Sequence, residues 1–404
     1  MSIFKEIPPT AGLPVYIKDL FRLKPLPGDI ENDFRSCLGV DYARITYSGT
    51  AAFYLILESL KNRSGKKTVV IPSYICPLVP LAIKRAGLKV EVCDITQDDF
   101  NFDFDELEKI CSLNDDVLAI VAVHLGGIPV DLDKIKEISG KYSIYIIEDC
   151  AQSLGAEYKG RKTGSIGDFS FFSLCRGKGL TIYEGGVIVT RRKEFGEIID
   201  QTIKGLVRNN FLSESLKIIE LFGYWIFYRP ALFWFIFRLP QVFWNLQGNK
   251  FRADIEYFEE NFPTHAVSKF RKKSGHLGFA RIENEIKMQR EKAEYYILGL
   301  KGLRGIKIFE GPALAKASYP YLTLIFDDQN KRKIALEKLE KTGLGVSQIY
   351  GAGIDRYDYL EGVVPQRKFS NANFIAEREI TLSTSKFIHQ RDQDKIISII
   401  KQIL

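Results

Sequence analysis

The sequence predicts an α/β protein: a mostly parallel sheet covered by helices on both faces, followed by a smaller α/β domain. Three observations point there. From about residue 44, short β-branched runs alternate with longer stretches whose apolar positions recur at helical spacing. Several of the short runs are apolar throughout, as strands buried on both faces are. From roughly residue 300 the rhythm changes, and the chain ends in an amphipathic pattern.

In order, "TVVIP" (68–72), "VEVCDI" (90–95), "VLAIVAVH" (117–124), "IYIIEDC" (144–150), "DFSFFSL" (168–174) and "GGVIVT" (185–190) read as buried strands. "TAAFYLILESLKN" (50–62) and "CPLVPLAIKRAG" (76–87) read as helices. This alternation implies a three-layer α/β/α domain, and such sheets bind ligands at the carboxyl ends of their strands. "YPYLTLIFDD" (319–328), "NKRKIALEKLEKTG" (330–343) and "QRDQDKIISIIKQIL" (390–404) suggest the second, smaller α/β unit. The expected division is a large domain over 1–295, with an N-terminal arm, and a small one over 296–404.

Composition narrows the function. With 404 residues, 46% hydrophobic and 26% charged, the chain is globular rather than disordered or fibrous. Its net charge of +7 is spread without a basic stripe or tail, so nucleic acid is not an expected partner. The six cysteines show neither CxxC pairs nor zinc-ligand spacing, and the four histidines form no HExxH-type motif, so no metal site is expected. The polar, proline-interrupted start "MSIFKEIPPT" does not read as a signal peptide, and the expected setting is the cytoplasm with reduced thiols.

One segment breaks the rhythm. An aromatic-rich insert spans about 208–270, and its centre, "ELFGYWIFYRPALFWFIFRLPQVFWNL" (220–246), holds all three tryptophans. Arg229, Pro230, Arg238 and Pro240 cut it into runs shorter than the ~20 residues of a membrane crossing. Two readings stay open: helices packed on a partner subunit or over the cleft, or a helix pair lying at a membrane surface through 217–247.

Chemistry gathers at three strand ends. "SLCRGKGLTIYEGG" (173–186) sets Lys178 between two glycines; Phe172 and Gly179 rule out a P-loop, and alone Lys178 could be a wet turn lysine. "YSGTAA" (47–52) leads into a helix, where Gly49, Thr50 and Ala51 could offer N–H groups to a phosphate or simply form a cap. "IIEDCAQ" (146–152) ends a strand with Asp149, a helix cap or a buried carboxylate awaiting a cation. A phosphate cradle, a carboxylate and a lysine on one parallel sheet match what pyridoxal phosphate (PLP) requires.

These stretches, with "IPSYICP" (71–77), "VAVHLGGIPVDLDKI" (121–135) and "EDCAQSLGAEYKGRKTGSIGDFSFFSL" (148–174), resemble the DegT/DnrJ/EryC1/StrS sugar aminotransferases, of PLP fold type I (aspartate aminotransferase-like). The resemblance covers most of the chain except about 205–275. It implies that Lys178 forms the Schiff base with PLP and that Asp149 pairs with the pyridine nitrogen. Gln152 would contact the 3-hydroxyl side of the ring, while Ser173, Thr50 and the backbone of Gly49 and Ala51 would bind the phosphate. Arg176 would sit nearby without an assigned step.

The implied reaction takes an amino group, usually from glutamate, to a keto-sugar nucleotide in polysaccharide or glycoconjugate biosynthesis, within a homodimer. Related sugar dehydratases carry histidine at the lysine position, so Lys178 favours amine transfer. The alternatives are a PLP-dependent dehydratase or lyase and a non-catalytic, membrane-associated relative.

Three departures stand out. Cys76 occupies the position that usually supplies a stacking ring, with Tyr74 a possible substitute. "YEGG" replaces "GEGG", putting Tyr183 where the family has glycine. "HLGFARIENEI" (276–286) lacks the asparagine that reaches a neighbouring subunit's phosphate, leaving Asn209, Asn210 or a rebuilt site.

Overall fold

A computed structural model describes residues 5–21, 27–246 and 258–404. Residues 247–257 of the predicted insert lie outside the described residues. In chain order the strands of the larger part are β1 (Tyr42–Thr46), β2 (Thr68–Pro72), β3 (Lys89–Cys93), β4 (Val117–Val123), β5 (Tyr145–Asp149), β6 (Glu157–Tyr158), β7 (Arg161–Lys162), β8 (Phe169–Ser173) and β9 (Gly186–Thr190). Seven of them form one sheet in the order β1-β9-β8-β5-β4-β2-β3. Neighbours from β3 through β8 are parallel, and β9 runs antiparallel to both β8 and β1. Hence β1 points the same way as β8 and delivers its carboxyl end to the same edge.

The period-two alternation of buried strands sorts side chains into two cores. Val69, Ile71, Ala119, Val121 and Ile147 face the helices Gly49–Lys61 and Leu78–Arg85, against Phe53, Leu57 and Ile83. Val70, Ile120, Ala122 and Ile146 face Leu107, Leu132 and Ile135 of the helices Phe104–Leu113 and Leu132–Tyr142. Burial on both sides is why β2 and β4 read as unbroken apolar runs. The first strand, β1, is missed by that signal: Arg44 interrupts it, and Tyr42 and Arg44 are only half-buried.

The C-terminal strands are β10 (Ile306–Ile308), β11 (Ala315–Lys316), β12 (Tyr321–Phe326) and β13 (Glu379–Ser383). An antiparallel sheet β10-β12-β13 packs on the helices Gln329–Glu340 and Gln390–Ile403, with Leu322, Leu324, Leu339, Ile380 and Ile396 in its core. Position 295 falls inside the continuous helix Ile282–Leu300, whose Ala293, Tyr296 and Leu300 belong to this core. Strand β11 pairs with β6, tying the two parts together.

The insert folds as two helices, Phe211–Phe227 and Pro230–Leu246. Leu221, Tyr224, Tyr228 and Phe233 on its inner side pack with Val15 and Leu20 of the N-terminal segment. No described helix is long and apolar enough to cross a membrane.

Candidate active site

The carboxyl ends of β1, β4, β5 and β8 surround a cavity of about 440 Å³ lined by Gly49, Thr50, Asp149, Gln152, Ser173 and Lys178. Three stretches more than 100 residues apart in part are brought together by sheet order alone, because β8 lies between β5 and β9 and β9 touches β1.

The phosphate end begins at Ser48, whose backbone is extended and whose hydroxyl accepts the Ala51 N–H at 3.0 Å. That cap leaves the N–H groups of Gly49 and Thr50, the first two of the helix, without helical acceptors. It also corrects one expectation: Ala51 is fully buried, its N–H is taken, and it does not line this cavity. A Cβ on Gly49 would come within 3.2 Å of the Ser173 Cβ, so glycine lets the helix start close against the serine hydroxyl. Gly186 does the same from below, since a Cβ there would collide with the Ser48 carbonyl.

The acidic pair of "EDCAQ" divides its work by strand alternation. Glu148 points away from the cavity and accepts N–H groups from Gly164 (2.8 Å), Ile166 (2.7 Å) and Gly167 (2.7 Å), with the His124 ring at 3.2 Å. Burial pushes its carboxyl up, but the His124 ring and these N–H groups outweigh it and hold it below the usual glutamate value. His124, Glu148 and Cys150 lie close enough to hold a metal, yet His124 Nδ1 already accepts the Val130 N–H at 3.2 Å and Glu148 is saturated. Asp149 lines the cavity and is 6% exposed, and its Oδ1 accepts the Ala151 N–H at 2.9 Å. Burial pushes its carboxyl up to about 6, against the downward pull of that N–H, Lys178 and His124.

Gln152 is oriented by two donors, the Gly126 N–H at 2.9 Å and the Tyr321 hydroxyl, both on its Oε1. The amide NH₂ is thereby left for a ligand.

Lys178 sits in a loop pinned from three sides. Leu174 donates to Gly185 at 2.7 Å and Ile182 donates back to Leu174 at 3.1 Å. Gly177, at φ +76°, turns the loop, and its carbonyl accepts the Thr10 hydroxyl at 2.8 Å. Leu13 N–H donates to the Lys178 carbonyl at 3.1 Å. The N-terminal strap is itself held by the insert: the Tyr228 hydroxyl accepts the Gly12 N–H at 3.1 Å and donates to the Thr10 carbonyl at 3.2 Å. Neither the strap nor this link carries a sequence motif.

The departures now have places. Cys76 lines the cavity, and burial raises its thiol to about 11, so it is neutral near pH 7. Tyr74 does not reach the cavity: its ring stacks on Phe100 at 6.2 Å, and its hydroxyl donates to the Tyr350 carbonyl at 3.0 Å. Tyr350, unnoticed in the sequence, lines the cavity instead. Tyr183 adopts φ +72°, which explains glycine as the usual occupant. Its ring lies against Tyr224 of the insert at 6.4 Å, with Lys217 at 5.5 Å from its centre, contacts that offset the backbone strain. Neither Asn209, Asn210 nor any residue of 276–286 lines this chain's cavity; Asn210 instead caps the helix Phe211–Phe227. Among the described residues the asparagine that lines it is Asn261, on a segment pinned by Arg85, which donates to the Phe262 carbonyl and lies 4.3 Å from its ring centre.

The sequence profile of the DegT/DnrJ/EryC1/StrS aminotransferase family matches residues 20–216 and 274–401. An uncharacterized protein of Methanocaldococcus jannaschii is 26% identical over 392 residues, 96% of this chain and 92% of that one. A UDP-4-amino-4,6-dideoxy-N-acetyl-beta-L-altrosamine transaminase of Campylobacter jejuni is 31% identical over 261 residues, 63% of this chain and 68% of that one. In fold, the chain is similar to the Helicobacter pylori aminotransferase PseC, involved in the biosynthesis of pseudoaminic acid, with TM-score 0.74 at 18% identity over 99% of each chain.

Proposed function

Because this chain belongs to the DegT/DnrJ/EryC1/StrS aminotransferase family and is a PLP-dependent aminotransferase, we propose that it transfers an amino group from glutamate to a keto-sugar nucleotide. The observation that carries this reading is the single cavity shared by Lys178, Asp149, Gln152, Ser173 and the start of the helix Gly49–Lys61.

The residues fit the cofactor. Gly49 and Thr50 N–H groups with the Ser173 hydroxyl would hold its phosphate, and the Gln152 amide its ring hydroxyl. Asp149 is buried with one oxygen occupied by Ala151, and burial outweighs the pull of Lys178 and His124 on its carboxyl; a protonated ring nitrogen beside it would supply the further positive charge that keeps it ionised. When bound, PLP provides the electron sink for the pair left as the donor loses its α-hydrogen. Lys178 Nζ is the base that accepts this hydrogen as a proton and later returns it, and the Thr10 and Leu13 clamps fix the loop that carries it. Arg176 is the other cation among the described lining residues and would meet the anionic end of a substrate.

Support for a nucleotide-sugar acceptor comes from the named transaminase relative. The test is a panel of keto-sugar nucleotides with glutamate. One of them is expected to yield an amino sugar with equimolar 2-oxoglutarate; loss of water from the sugar without 2-oxoglutarate would favour a dehydratase instead.

A further inference from the structure

The helix pair Phe211–Phe227 and Pro230–Leu246 lies, from residue 217 on, outside the part of the chain that the family profile matches. Its charged side chains are engaged with one another or with the rest of the chain. Glu214 pairs with Arg271, Lys217 with Glu184 and Glu220 (2.9 and 2.8 Å), and Arg238 with Glu6 (3.2 Å). Arg229 donates to the carbonyls of Val15 (3.1 Å) and Tyr228 (2.8 Å).

The outward side is apolar. Leu212, Ile219 and Ile226, at i, i+7 and i+14, are 72%, 65% and 46% exposed; Phe235, Leu239 and Val242 continue the face on the second helix. It extends to Phe21, whose ring lies 5.4 Å from Phe222, which in turn stacks on Phe270 at 5.9 Å. At this edge stand Lys18, Lys269 and Lys273, all exposed and in no ion pair among the described residues.

We propose that this face docks in the plane of a bilayer surface bearing anionic phospholipids. A contiguous apolar face of this extent is rarely left to water. At 17 residues each, the helices are suited to lying in the interface with their apolar side down. The unpaired lysines at the rim meet anionic headgroups there, whereas a second copy placed face to face would bring like charge to like charge. The inner side of the same helices clamps the strap on the Lys178 loop, so docking would hold the catalytic loop at a fixed place relative to the membrane.

Flotation of the full-length, PLP-loaded protein with vesicles of phosphatidylcholine alone, or mixed with phosphatidylglycerol, tests this independently of the substrate. Wild type is expected to float with the mixed vesicles. A Leu212→Ser, Ile219→Ser, Leu239→Ser triple variant is expected to lose about tenfold or more of that binding while retaining cofactor absorbance. A Lys18→Ser, Lys269→Ser, Lys273→Ser variant is expected to lose the preference for anionic over neutral vesicles. Wild type left unbound by both vesicles, or binding unchanged in the apolar variant, would overturn the proposal. If wild type stays unbound and light scattering shows the apolar variant at half its mass, the occupant is a second copy.

Discussion

Lys178→Ala is expected to lower the turnover number for amine transfer by at least about 10³-fold, because the proposed reading makes one side chain both covalent anchor and proton carrier. The loss should fall on kcat rather than on folding. The Lys178 loop is held by backbone contacts from Leu174, Ile182 and Leu13 and by the Thr10 hydroxyl, none of which uses the lysine side chain. Cofactor retention should weaken less than turnover, since Gly49, Thr50, Ser173, Asp149 and Gln152 keep their places. Steady-state kinetics beside thermal melting separates the two effects. A variant that melts like wild type but still turns over within about tenfold of it would remove Lys178 from the chemistry.

Asp149→Asn is expected to cost about 10²–10³-fold in turnover, the scale for losing one preorganised charge at a reacting centre. The cofactor-free protein should respond in the opposite direction. The buried Asp149 carboxyl sits at about 6 against an ordinary 3.8, so it binds its proton more tightly folded than unfolded. Its contribution to stability is therefore greatest at low pH, falls as pH rises from about 4, and is lost above about 6. The span from 3.8 to about 6 corresponds to roughly 3 kcal/mol. Without cofactor, Asp149→Asn should thus be the more stable protein near neutral pH by an amount of that order, with the gain about halved near pH 5. Denaturant titration of both proteins at the two pH values checks the sign; an Asn variant less stable than wild type at neutral pH would contradict the buried-charge account.

The central strands and three residues that line the cavity were legible because each has a local signature. Apolar runs mark β2, β4, β5 and β8, and Asp149, Ser173 and Lys178 stand at or just beyond strand ends. Ala51 misled because a Ser-Gly-Thr turn before a helix looks the same whether its N–H groups are free or capped; the Ser48 hydroxyl decides it. Tyr74 misled because an aromatic near the expected stacking position carries no sign of which way it points, and here it supports Tyr350 from the core side. The strap at Thr10–Leu13, the Tyr228 link and Asn261 were not legible at all. They act through contacts between residues far apart in the chain and through backbone atoms, which leave no pattern of residue types. Tyr183 was visible as an exception, and its reason needed the backbone: a left-handed residue packed against the insert.

Borohydride reduction of the PLP-loaded protein, followed by peptide mass mapping, tests the site most directly. The arrangement of Lys178 with Asp149, Ser173 and the helix start predicts a stable pyridoxyl adduct on the peptide containing Lys178 and on no other. An adduct on a different lysine, or none on protein that retains PLP, would contradict it.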